Sequence, residues 1–198
     1  MISVTVDLNC IIELEEKRKE GVPTPIEALI AMHEEHKINL RVPASIGAEN
    51  KPGGGHASSF SELTRRLAAQ GLSTAEILKT PNLRLGMAYL GQSLLGGPEV
   101  ENVERQIHEI LYADDPFPYR EFCVKHGVDP SSAEVDRKFR NRRSDVRAVL
   151  CHIWYGGGIF VTRDSNFHKK KSALAQLGAG EILTPEEAVV RLSSGMEP

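Results

Sequence analysis

The chain predicts an α/β fold, a three-layer sandwich around a mostly parallel central sheet. Two observations carry that expectation. Short β-branched or apolar runs alternate with amphipathic helical stretches along the 198 residues, the pattern of a parallel sheet covered on both faces. Acidic residues also follow directly on apolar runs, at Asp7 and Asp164. Open sheets of this class gather their working groups at the carboxyl ends of the strands, near the point where strand order reverses.

The first strand is Ile-Ser-Val-Thr-Val-Asp at positions 2–7, a β-branched run that stops at Asp7. Ile11, Ile12 and Leu14, set among Glu13, Glu15 and Glu16, predict a short helix that ends in a solvated loop from Lys17 to Gly21. Thr24-Pro25-Ile26-Glu27 is a helix start: a capping hydroxyl, proline at the first helical position, and a glutamate able to reach back. The run from Ile38 to Ala44 predicts strand two, with Glu49 soon after it.

Asn50 to His56 (NKPGGGH) reads as a flexible connection. Gly53 to Gly55 lack the Gly-Lys-Ser/Thr ending of a phosphate-binding loop. From Phe60 to about Lys125 the apolar spacing is helical throughout, interrupted at Pro81, Gly96-Gly97-Pro98 and Pro116. The expected organisation is therefore one domain over 1–198, with a helical insertion at about 52–128. Asp129-Pro130 should open a helix running to Tyr155, which Gly156 to Gly158 end. Ile159 to Thr162 has the continuous apolar character of a buried parallel strand, and Asp164 lies just past it. Glu181 to Leu183 predicts a further strand, and Thr184-Pro185-Glu186-Glu187 caps a last helix.

A net charge of -3 and a pI near 6.2 neither recruit a polyanion nor forbid one. Cys10, Cys123 and Cys151 are odd in number and widely spaced, which fits neither a disulfide framework nor a zinc finger. Without a basic start followed by an apolar stretch, or any segment of membrane-spanning length, the expectation is a cytoplasmic protein with no membrane partner.

The chemistry converges on carboxylates. Asp7 and Asp164 reach one edge by strand assignment, and Asp145 rides on the long helix that feeds the strand before Asp164. Like charges so placed raise one another's pKa unless a cation neutralises them, and hard oxygen ligands suit Mg2+ or Mn2+. Arg137, Lys138, Arg140, Arg142, Arg143 and Arg147 surround Asp145, and Lys169, Lys170 and Lys171 follow Asp164, so local charge favours a polyanionic substrate. No Ser or Cys sits in a nucleophile motif with a His partner. His152 reads as a packed or capping histidine, and Trp154 and Phe167 as core.

These segments resemble the PIN-domain nucleases. Val6-Asp7-Leu8-Asn9 resembles the family's opening Asp-x-Asn, and Val42-Pro43-Ala44-Ser45 through Glu49 its strand-then-Glu segment. Ser144-Asp145-Val146 resembles its third acid, and Phe160-Val161-Thr162-Arg163-Asp164 its closing strand, Thr, x, Asp signature. Leu8 replaces a small hydroxyl residue, and Asn166 stands where a second late acid is often found.

The resemblance implies a PIN-like fold and a metal-dependent phosphodiesterase, an endoribonuclease acting on single-stranded RNA. Asp7, Asp145 and Asp164 would hold Mg2+ or Mn2+, with Glu49 as fourth catalytic acid. Asn9, Arg142, Arg143, Arg147, Asn166 and Lys169 would contact substrate. A second copy of the chain and a protein docked on the helical insertion are the other candidate partners. Two rival readings keep the same fold: a non-catalytic nucleic-acid-binding or assembly module, and a toxin ribonuclease of a toxin–antitoxin pair. An aspartyl phosphatase is disfavoured, because Asn9 stands where its second acid would be.

Overall fold

The computed structural model describes residues 1–45, 59–82, 91–94, 96–132 and 134–195. Along the chain, β1 (Ile2–Val6), α1 (Leu8–Glu20), α2 (Pro25–Glu34), β2 (Ile38–Pro43), α3 (Phe60–Ala69) and β3 (Glu76–Leu78) form the first half. Two-residue strands β4 (Thr80–Pro81) and β5 (Ser93–Leu94) pair with each other. Then come α4 (Pro98–Tyr112), α5 (Tyr119–His126), α6 (Arg137–Trp154), β6 (Ile159–Val161), α7 (Ser165–Leu174), β7 (Glu181–Leu183) and α8 (Pro185–Ser194).

The central sheet has five strands in the order β3-β2-β1-β6-β7, and every pairing is parallel. The chain winds outward from β1 to β3, then returns to lay β6 on the free side of β1. Strand order therefore reverses between β1 and β6, where Val4, Thr5 and Val6 register with Ile159, Phe160 and Val161.

Alternation along these strands divides the core into two layers. Val4, Val6, Ile38, Leu40, Val42, Ile159 and Val161 pack under α1, α2, α3 and α8. Phe160 and Ile182 face the other way, against α4, α6 and α7. The α/β expectation is met, as a sheet flanked by helices on both faces.

Several boundaries differ from expectation. Lys17 to Glu20 continue α1 rather than forming a loop; Gly21, in the left-handed region, caps it by donating to the Arg18 carbonyl. The long helix begins at Arg137, where the Asp136 carboxylate accepts from the Phe139 amide, rather than at Asp129-Pro130. The region from Phe60 onward is not helical throughout: Ile77 and Leu78 belong to β3, an edge strand of the central sheet. Leu63, Leu67, Leu72 and Ala75 join the core beneath β1 and β2, so this stretch is built into the domain. Trp154 is 49% exposed and not core, whereas Phe167 is fully buried against Phe160. Gly53 to Gly55 lie outside the described residues. All three cysteines are buried and free, and among the described residues no helix is long and apolar enough to cross a membrane.

Gly158 lets β6 close on β1. Its φ is +114°, and a Cβ there would sit 2.4 Å from the Ser3 carbonyl oxygen. Gly158→Ala should therefore destabilise the protein by on the order of 3 kcal/mol, read as a lowered urea midpoint.

Candidate functional site

The strand reversal brings the carboxyl ends of β1 and β6 side by side, and each strand hands its chain to a helix through an aspartate. Asp7 caps α1: its Oδ1 accepts from the Leu8 amide at 2.8 Å. Asp164 caps α7, its Oδ1 accepting from the Asn166 amide at 2.7 Å. The Asp7 amide donates to the Val161 carbonyl at 3.0 Å, which prolongs the β1–β6 ladder up to the acid itself.

Between the two acids stands Thr162, fully buried. Its hydroxyl donates to Asp7 Oδ2 at 2.7 Å and accepts from the Asp164 amide at 3.1 Å and from Asn9 Nδ2 at 3.0 Å. Asn9 Nδ2 also reaches Asp7 Oδ2, at 2.8 Å, while Asn9 Oδ1 accepts from the Arg163 amide at 3.1 Å. Asn9 therefore spends its amide on positioning Asp7 and on joining the two strand ends. The Arg163 guanidinium points elsewhere, linking Glu13 of α1 to Glu186 of α8.

Asp145 enters from α6, which covers the sheet face toward which Thr5 points. The Tyr112 hydroxyl, at the end of α4, donates to Asp145 Oδ2. Asn166 fixes that end of α4 by donating from Nδ2 to the Leu111 carbonyl at 3.0 Å. Tyr112 thus emerges as a site residue that sequence reasoning did not single out, and Asn166 as the residue that anchors its helix.

Electrostatics ties the three acids together. Burial, with the charge of Asp164 as a smaller contribution, raises Asp7 to about 6, against the opposing bonds from Thr162, Leu8 and Asn9. Burial first, then the charges of Asp7 and Asp164, hold Asp145 well above the usual carboxylate range. Burial and the neighbouring Asp145 charge push the Tyr112 phenol up, so it remains a donor. The acids share one field without closing on one point: among the described residues no group of three or more His, Cys, Asp or Glu side chains is gathered to hold a metal ion as it stands.

The basic cluster around Asp145 divides by helix face. Arg143 is buried, bonded to Glu104 at 3.3 Å and to the Phe117 carbonyl at 2.7 Å, with its guanidinium 3.6 Å from the Phe117 ring centre. Arg147 is buried as well and donates to the Asn82 carbonyl at 2.8 Å. Both were expected at the substrate; the structure commits them to the interior, where a buried cation requires partners. Arg142 lies over the Tyr112 ring and pairs with Asp115, while Lys169 is exposed on α7. Glu49, the expected fourth acid, lies outside the described residues.

His152 is packed, as its sequence context suggested. Nε2 donates to the Ala179 carbonyl, which can only accept, so Nδ1 accepts from the Thr5 hydroxyl, each at 2.8 Å. Burial lowers this imidazole to about 4. Burial raises the thiols of Cys10 and Cys151, the latter to about 12, so neither offers a thiolate nucleophile.

The raised pKa of Asp7 has a signed consequence for stability. Its protonated form is favoured by the fold, a contribution present below about 3.8 and lost as pH rises through about 6. Asp7→Asn keeps the helix cap and removes the charge. Relative to wild type, it should gain stability between pH 4 and pH 8 by on the order of 3 kcal/mol, measured by urea unfolding at both pH values in EDTA. Comparison with protein-family models, with curated proteins and with solved structures finds no match to this chain.

Proposed function

We propose that this protein is a metal-dependent nuclease of PIN-like design, in which Asp7, Asp145 and Asp164 hold Mg2+ or Mn2+ against a nucleic-acid phosphodiester. The observation that carries this reading is the shared field of three acids near the strand reversal: burial and the Asp164 charge raise Asp7, and burial with the charges of Asp7 and Asp164 raises Asp145. An apolar strand end that collects negative charge in this way is destabilised unless a counter-charge arrives.

The donor set suits such an ion. All three acids offer hard oxygens, and each keeps coordination capacity: Asp7 Oδ1 has one protein donor, while Asp145 Oδ1 and Asp164 Oδ2 have none among the described residues. When bound, the cation would polarise the phosphodiester and lower the pKa of a water for in-line attack.

The chain's own residues would supply the frame. Thr162 and Asn9 orient the Asp7 carboxylate from behind, and Tyr112 does the same for Asp145. Ligand-supporting bonds of this kind fix which oxygen faces the ion.

A second reading rests on the same bonds. Asp7 and Asp164 are both helix N-caps, a structural duty that needs no metal. On that reading the fold binds nucleic acid without cutting it.

Cleavage separates the two. Wild-type protein should cut single-stranded RNA with Mg2+ or Mn2+ and stop in EDTA. Asp7→Asn and Asp164→Asn should still bind the RNA but lose more than the roughly 10–100-fold typical of residues that only support a ligand. Tyr112→Phe should fall within that 10–100-fold range. Equal cleavage by wild type and the Asp variants would overturn the nuclease reading, and binding without cleavage by wild type would favour the second.

A further inference from the structure

Beside Asp145 a cleft of about 540 Å³ opens along the outer face of α6. Its α6 lining is Arg137, Lys138, Asn141, Arg142 and Asp145, positions spaced so that they form one stripe down the first turns of a helix. Tyr112 closes the cleft at the Asp145 end. The stripe runs from two exposed cations to the acid.

Of the basic residues on α6, these two are uncommitted. Arg143 and Arg147 serve the interior, Arg140 is buried, and Arg142 pairs with Asp115. Among the described residues Arg137 and Lys138 form no ion pair, and both are exposed. Asp136, the acid nearest them in sequence, turns its carboxylate to the Phe139 amide as the helix cap. Asp136 shares the lining, so the cleft carries two exposed cations and one capping acid at the start of α6 and Asp145 at its other end.

We infer that this cleft is the track for the sugar–phosphate backbone of a single-stranded nucleic acid, with Arg137 and Lys138 contacting phosphates on the strand that leads to Asp145. The track deepens the nuclease reading by naming how substrate would arrive, and it rests on that reading only for the cutting step. Lysine and arginine contacts to phosphate position a strand without reading its bases. The cleft has small-ligand size, a length of surface that matches a few nucleotides of one strand. The three lysines that follow Asp164, by contrast, stand exposed on α7 outside this lining.

The test is binding of a labelled 12-nucleotide single-stranded RNA by fluorescence anisotropy in EDTA, so that no cleavage intervenes. Wild type is compared with Arg137→Glu/Lys138→Glu, and with Lys19→Glu/Lys37→Glu as a control of equal charge change on exposed residues. Unfolding curves confirm that the variants are folded. The cleft pair should bind at least tenfold more weakly at low salt, and its slope of log K against log salt should be shallower by about 1.4, two phosphates at about 0.7 each. The control should keep the wild-type slope.

Equal losses in both pairs, an unchanged slope in the cleft pair, tighter binding of a duplex, or no binding by wild type would each overturn the track. Cleavage that persists with an unchanged KM in the cleft pair would overturn it while leaving the nuclease intact. Track-dependent binding without cleavage would uphold it and remove the nuclease.

Discussion

Everything at the site depends on β6 returning to lie beside β1. That pairing is what sets strand order as β3-β2-β1-β6-β7 and puts two strand ends in contact at the reversal. It requires a backbone at Gly158 that approaches Ser3 too closely for a side chain. It continues past the strands as the Asp7 amide to Val161 carbonyl bond and then as the Asp7, Thr162, Asn9 and Asp164 network. A carboxylate that would be a solvated turn residue at an ordinary strand end is here 4% exposed. Burial converts a helix cap into a group whose charge is costly, and on the proposed reading a bound cation would offset that cost.

The sheet and its acids were legible because they rest on periodicity and on position relative to an element. Ile2 to Val6, Ile159 to Val161 and Glu181 to Leu183 are apolar or β-branched runs, and an acid following such a run must sit at its carboxyl end. Thr24 and Thr184 announced their helices through local capping chemistry, and the Thr24 and Thr184 amides do donate to Glu27 and Glu187. β3 was not legible: three residues with an Ile-Leu pair carry no period, and only pairing with β2 makes them a strand.

The arginines show a different limit. A run of cations beside an acid suggests a polyanion, but charge composition does not distinguish the two faces of a helix. Arg143 and Arg147 share the face of Phe139, Val146 and Leu150, and they are buried with Glu104, Phe117 and Asn82 as partners. Arg137, Lys138 and Arg142 share the face of Asp145. Helical phase held that division; it was the partner, Glu104 on a distant helix, that the sequence could not supply. Tyr112 was hidden for the same reason, since its link to Asp145 crosses from α4 to α6.

The central claim is that burial has prepared these acids for a divalent cation, and calorimetric titration with Mn2+ tests it most directly. Because burial raises Asp7 to about 6 and, with the Asp7 and Asp164 charges, holds Asp145 well above the usual carboxylate range, a cation binding near pH 6 should displace protons. Titrations in two buffers of different ionisation enthalpy should show proton release at pH 6, tighter binding at pH 8, and loss of both in Asp145→Asn. Mn2+ binding that is absent, or that is indifferent to pH and to Asp145, would contradict the account.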